Sequence, residues 1–189
     1  MLWDAFTGQV RCSYVLESHT GQICGPYSVA FNSNGSKIYC GQKDCIYVFD
    51  VAVPGNTGSQ YPTTPSKRSK DRHKGIVSCM DFAPDGSGLF AVGAFSSYVG
   101  IYDERSMELA WLMTTQGTGV TQVKFTADSL HLLTASRHDD AIRMWDIRNT
   151  GDMVCAWPCV KRDTNQRVYF DLKDGMLATG DAACIPCKV

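Results

Sequence analysis

Thr164-Asn165-Gln166-Arg167 sets a hydroxyl, two carboxamides and a fixed positive charge side by side, directly before the alternating run Val168-Tyr169-Phe170-Asp171-Leu172. Carboxamides carry donors and an acceptor that match the edge of a nucleobase, and an arginine can pair with phosphate or stack on an unpaired base. The same side chains can equally tie down loop backbone, and both readings stand at this point. Residue types that would support turnover are missing. There is no Gly-rich phosphate loop, no nucleophile elbow and no carboxylate pair in a recognisable frame, and His73 with Asp139 makes a poor catalytic pair, so no enzyme is expected. Which chemistry the Asn-Gln-Arg run performs depends on the elements that hold it.

At 189 residues with 44% hydrophobic content, the chain can bury a core as one domain or as part of a larger one. A net charge of −1 argues against nucleic-acid or membrane binding by bulk charge and leaves room for a local patch. No apolar run approaches the length of a membrane span, and residues 1–20 carry Asp4, Arg11 and Glu17 where a signal core would be apolar. Nine cysteines is a high and odd number. Cys40 and Cys79 fall in strand patterns, where a thiol behaves as a small hydrophobe, and the set reads as reduced thiols of a cytoplasmic or nuclear protein. Cys155 and Cys159 with Cys184 and Cys187 could in principle give zinc four thiolates. The long interval between the pairs and the lack of a completing histidine favour scattered thiols, so neither a metal nor a cofactor is expected.

Four segments close on an aromatic and an aspartate: "MLWD", "YVFD", "GIYD" and "RMWD". Their aspartates Asp4, Asp50, Asp103 and Asp146 lie 46, 53 and 43 residues apart. A second marker, Phe31, Phe82, Phe125 and Phe170, recurs at 51, 43 and 45. Two markers with one period describe an internal repeat, and each copy reads as three clear strands and a weaker fourth with Asn-Gly or Asp-Gly turns. This period with a Trp-Asp close resembles the WD40 propeller blade. Trp3 and Trp145 are expected to pack inside at the close of their repeats. His73 sits where such a unit has its Gly-His; Asp139 and Trp145 take the positions of its structural hydrogen-bond network, with Gln116 replacing the histidine there.

The fold class is therefore all-β, an incomplete propeller over residues 1–180 with three full blades and part of a blade at each end. A closed ring needs about four to eight blades, so the chain reads as part of a longer propeller. Residues 51–75 are expected to be a long basic Pro/Ser-rich loop with a poor fourth strand. Residues 181–189 match nothing in the repeat.

In a propeller the strand 2–3 and strand 4–1 loops share one face. Sorted this way, Lys43, Lys67, Arg68, Lys70, Arg72, Lys74, Arg137, Lys161, Arg162 and Arg167 meet Glu17, Asp44, Asp71, Asp139, Asp140 and Asp163. Ten positive against six negative leaves +4 on that face and −5 on the remainder, for the total of −1. A basic tract alone is usually a solvated loop. Convergence from four separate loops suits a polyanion or an acidic peptide. Lys43, Arg68, Arg137, Arg162, Asn165, Gln166 and Arg167 are the candidate contacts.

"LWDAFTGQ", "GIVSCMDFAPDGSGLFAVGAFSSYVGIYD", "RMWDIRNTG" and above all "TNQRVYFDL" closely resemble the telomerase Cajal body protein family, in register over roughly residues 2–180. The resemblance implies a nuclear, non-catalytic propeller that binds a short loop motif in small Cajal body RNA and telomerase RNA. It would place those particles in Cajal bodies and support telomere synthesis alongside the telomerase ribonucleoprotein proteins, with chaperonin-assisted folding as for many WD40 propellers. A general peptide-binding WD40 adaptor is the alternative, since the fold alone does not decide function.

Overall fold

The computed structural model describes residues 1–17, 21–64, 73–149, 152–159, 167 and 169–180. Among the described residues, sixteen strands form five antiparallel sheets. A two-stranded sheet, β1 (Leu2–Trp3) and β2 (Val10–Cys12), is followed by β3 (Ser28–Phe31), β4 (Lys37–Gly41), β5 (Cys45–Asp50) and β6 (Ser59–Pro62). The next four-stranded sheet holds β7 (Val77–Phe82), β8 (Leu89–Ala94), β9 (Tyr98–Asp103) and β10 (Leu109–Thr114). The last holds β11 (Val120–Phe125), β12 (His131–Ser136), β13 (Ala141–Asp146) and β14 (Met153–Pro158), and a β15 (Phe170–Lys173)–β16 (Met176–Thr179) hairpin follows. The chain is an incomplete WD40-type propeller.

Stacking explains the burial pattern. Neighbouring blades cover both faces of the middle strands, so β8 and β13 are buried along nearly their whole length, whereas the outer strands β6 and β14 are mostly exposed. Between the first two full blades, Tyr39 meets Phe82 edge-on with centroids 4.8 Å apart, and Phe82 in turn stacks on Phe90 of its own blade at 5.0 Å. Between the next two, Val120, Val123 and Phe125 pack on Ala91, Val99 and Ile101. Each fully buried side chain of this kind contributes about 1.5–3 kcal/mol.

The repeat-closing aspartates have a local task. In all four copies a carboxylate oxygen accepts a backbone N–H two residues on: Asp4 from Phe6, Asp50 from Ala52, Asp103 from Arg105 and Asp146 from Arg148. Each closes the turn from the third strand to the fourth as an Asx turn. The strand 1–2 turns use the same device at Asn34, Asp85 and Asp128. Gly35 and Gly86 then take the left-handed backbone, and Ser129 does so at φ 57° with its hydroxyl accepting the Asp85 N–H at 3.1 Å.

Two expectations need correction. Trp3 is 58% exposed, because β1 and β2 pack on each other with no blade stacked over that ring; Trp145 is buried as expected. Phe170 does not occupy the position of Phe31, Phe82 and Phe125. Those three lie opposite Ile38, Phe90 and Leu132, and the matching pair in the last hairpin is Leu172 opposite Leu177. The two-residue turn at Asp174-Gly175 shortens that hairpin and moves Phe170 up the strand. Within residues 51–75, Ser59–Pro62 pairs with β5 as a short fourth strand, ending at its proline where a lost donor faces no partner strand.

Candidate nucleic-acid interface

The first strand of each blade lines the centre, and these strands are fastened to one another by side chains. Ser28 Oγ donates to Val77 O at 2.9 Å and Ser78 Oγ to Val120 O at 2.6 Å. Gln122 grips the last hairpin from both sides: its Nε2 donates to Phe170 O at 2.7 Å and its Oε1 accepts from Phe170 N at 2.9 Å. Asp81 Oδ2 accepts the Phe125 N–H at 2.7 Å, while burial pushes its carboxyl above the usual range. Lys124 Nζ meets Asp171, whose carboxyl it holds low. A cleft of about 460 Å³ runs between these strands, and Arg167 and Tyr169 stand in its wall.

At one end of the cleft the strand 2–3 turns and strand 4–1 loops meet around Phe95. The Arg137 guanidinium lies 4.1 Å from the centre of that ring and the Arg167 guanidinium 5.6 Å from it. One arginine comes from the β12–β13 turn and the other from the segment before β15, so blade stacking unites them. Each contact adds about 0.5–1 kcal/mol and, more usefully here, fixes a long side chain. The support is close: Arg137 N donates to Gly119 O at 2.8 Å and Thr118 N to Arg137 O at 2.9 Å. A Cβ at Gly117 would fall 2.4 Å from Arg137 O and one at Gly119 2.9 Å from Phe95 O, which is why this loop needs both glycines.

Lys43 is on the adjoining turn. Its backbone bridges to Ile76, whose carbonyl accepts the Phe95 N–H at 3.0 Å, and its side chain is exposed. Lys43, Arg137 and Arg167 therefore share one end of the molecule. Arg68, Arg162, Asn165 and Gln166 lie outside the described residues, as do Lys67, Lys70, Arg72, Lys161, Asp71 and Asp163, so the whole +4 balance of this face lies there too, and the described charges (Lys43, Lys74, Arg137 and Arg167 against Glu17, Asp44, Asp139 and Asp140) cancel.

The acids of this face are not all free to oppose the cations. Asp139 is buried and held by Arg143, with Nε–Oδ2 at 3.0 Å and Nη2–Oδ1 at 2.8 Å. Arg143, a strand residue that sorting by loops overlooks, also reaches Asp140 at 3.5 Å. Trp145 Nε1 donates to Thr134 Oγ1 at 2.9 Å, so Asp139 and Trp145 join separate contacts. His73 faces Tyr102 Oη at 2.8 Å, and burial pulls its imidazole down to about 4. His73 and Asp139 have different partners and form no pair. Among the described residues no three His, Cys, Asp or Glu side chains gather as a metal cluster, and the seven described cysteines form no disulfide with one another. Cys184 and Cys187 lie outside the described residues.

Phe95 was not among the residues singled out by sequence. The available signal is its place in "GAFSSY", an aromatic at a turn whose counterparts, Gln42-Lys43-Asp44 and Arg137-His138-Asp139, are polar.

Comparison with known proteins places these features in context. The WD domain, G-beta repeat family matches residues 10–50, 65–103 and 110–146. Telomerase Cajal body protein 1 of Homo sapiens is 34% identical over 174 residues, which is 90% of this chain and 30% of that protein. The Mus musculus protein of the same name is 33% identical over 90% of this chain and 31% of its own length. Guanine nucleotide-binding protein negative regulator 1 of Schizosaccharomyces pombe is 35% identical over 92% of this chain and 45% of that protein. A chain in the crystal structure of the mitotic checkpoint complex superposes with a TM-score of 0.70 at 19% identity, covering 95% of this chain and 51% of that one, a likeness of fold alone. The chain thus spans between about a third and a half of the length of these curated relatives.

Proposed function

The chain belongs to the WD domain, G-beta repeat family, and from that premise we propose that it is a non-catalytic scaffold that binds RNA. The RNA is a short loop motif of small Cajal body RNA and telomerase RNA, and binding directs the particle to Cajal bodies in the nucleus and supports telomere maintenance. The observation that carries this reading is the pair Arg137 and Arg167 from separate blades on one ring, with Lys43 on the next turn. Positioned guanidiniums with unpaired donors suit phosphate and unstacked bases better than they suit a flat protein surface. The names of the relatives, telomerase Cajal body protein 1, fit a telomerase- and Cajal-body-related role. The telomerase ribonucleoprotein proteins are the partners that follow from it, and Asn165 and Gln166 supply base-edge contacts beside Arg167.

A salt series of filter-binding titrations with a Cajal-body RNA hairpin tests this. Arg137→Ala and Arg167→Ala should each lower the magnitude of the salt slope by about 1. Binding indifferent to salt and to loop sequence would remove the reading. The similarity to a protein named as a negative regulator of a guanine nucleotide-binding protein favours a second reading, a peptide-binding WD40 adaptor. Nuclease-treated pulldowns that keep their proteins, with no small RNA enriched in untreated ones, would select it.

A further inference from the structure

We infer that the central cleft beside the arginine pair is a pocket for one unstacked nucleobase, entered between Tyr169 and Tyr27. The inference rests on the RNA-binding reading and adds a site to it. The cleft measures about 460 Å³, within the size of ordinary small-ligand pockets, and is bounded by the inner strands of three blades and by Arg167. Its two aromatic walls are exposed, Tyr27 at 50% and Tyr169 at 63%, although each has a large apolar ring. Exposed aromatics flanking a polar cleft are stacking platforms, and any base has a face to offer them.

Arg167 joins this cleft to the cationic rim. It lines the pocket and also lies over Phe95, so a nucleotide whose phosphate meets Arg167 has its base within reach of Tyr169, two residues along the same segment. Asp81 also lines the cleft, its carboxylate already held by the Phe125 N–H, and adds an acceptor to the polar wall that a base amino group complements. Gln122 acts as a positioning residue. Its bidentate grip on the Phe170 backbone sets where Tyr169 stands, and it makes no contact with the base itself.

The test uses the whole chain and a hairpin RNA whose loop positions are replaced, one at a time, by an abasic ribose. One abasic position should cost about 10-fold in affinity, and Tyr169→Ala should cost a similar factor and erase the sensitivity to that position. Tyr169→Phe should keep both, and the salt slope should stay as in the unaltered protein because no phosphate contact is lost. Tyr169 is exposed, so these changes do not threaten folding. An even response to abasic sites, with Arg137→Ala still lowering the salt slope, overturns the pocket and leaves RNA binding standing. No salt-dependent binding at all overturns both.

Discussion

In the β7–β10 blade, the loop before the first strand delivers His73 to Tyr102 on the third strand. In the β11–β14 blade the corresponding loop carries Gln116, and the turn after the second strand delivers Asp139 to Arg143 instead. Both contacts are buried, and both lock the rim end of a blade to its core. One is a neutral hydrogen bond and the other an ion pair. The blade therefore requires a satisfied buried polar tie at that end, and the chemistry of the tie is open. The consequence is unequal sensitivity to charge and to pH in two blades of one architecture.

Breaking the ionic tie should have the largest effect. Arg143→Ala leaves Asp139 buried without its counter-charge, and urea unfolding should report a loss of about 3–5 kcal/mol. The double change Arg143→Met with Asp139→Leu should cost far less, since it removes both charges and keeps volume. Equal losses would show that packing and not charge dominates.

The neutral tie should respond to acid. The folded His73 imidazole titrates at about 4 against 6.5 for the ordinary group, so the unfolded chain binds the extra proton first. Stability from this site is complete above about pH 6.5 and declines as pH falls toward 4, by on the order of 3 kcal/mol. His73→Gln should flatten that part of a stability–pH curve, while the double variant Arg143→Met with Asp139→Leu, which adds no unpaired titratable group, leaves its shape unchanged. Tyr102→Phe removes only the hydrogen bond, and a thermal or urea midpoint should register about 1 kcal/mol.

The smallest effect is expected at the strand 1–2 turns. Gly86 and Ser129 hold equivalent left-handed positions at φ 74° and 57°. Ser129→Gly relieves the strain but loses the hydroxyl contact to Asp85 N, so the two terms of about 1 kcal/mol offset. A shift in unfolding midpoint clearly beyond that balance would show which term rules.

Much of this was legible in advance because the repeat is written in local chemistry. Aspartates that close Asx turns act over two or three residues, so their period of 43–53 survives as a plain sequence signal. Alternation and Asp-Gly turns mark strands for the same reason. Phe170 misled because a marker counted along the chain cannot register a shortened hairpin, which moves register by two. Trp3 misled because burial of a blade's ring depends on the sheet stacked over it, a partner that local sequence does not supply.

Sequence alone determined the blade unit and its repetition, since both follow from contacts between residues near in the chain. Tertiary structure decided which charges act. Blade stacking carried Arg137 and Arg167 to Phe95 and opened the cleft beside them, while Arg143 engaged Asp139. Long-range approach of side chains depends on sheet twist and loop closure in three dimensions, and neither leaves a mark at any one position of the chain.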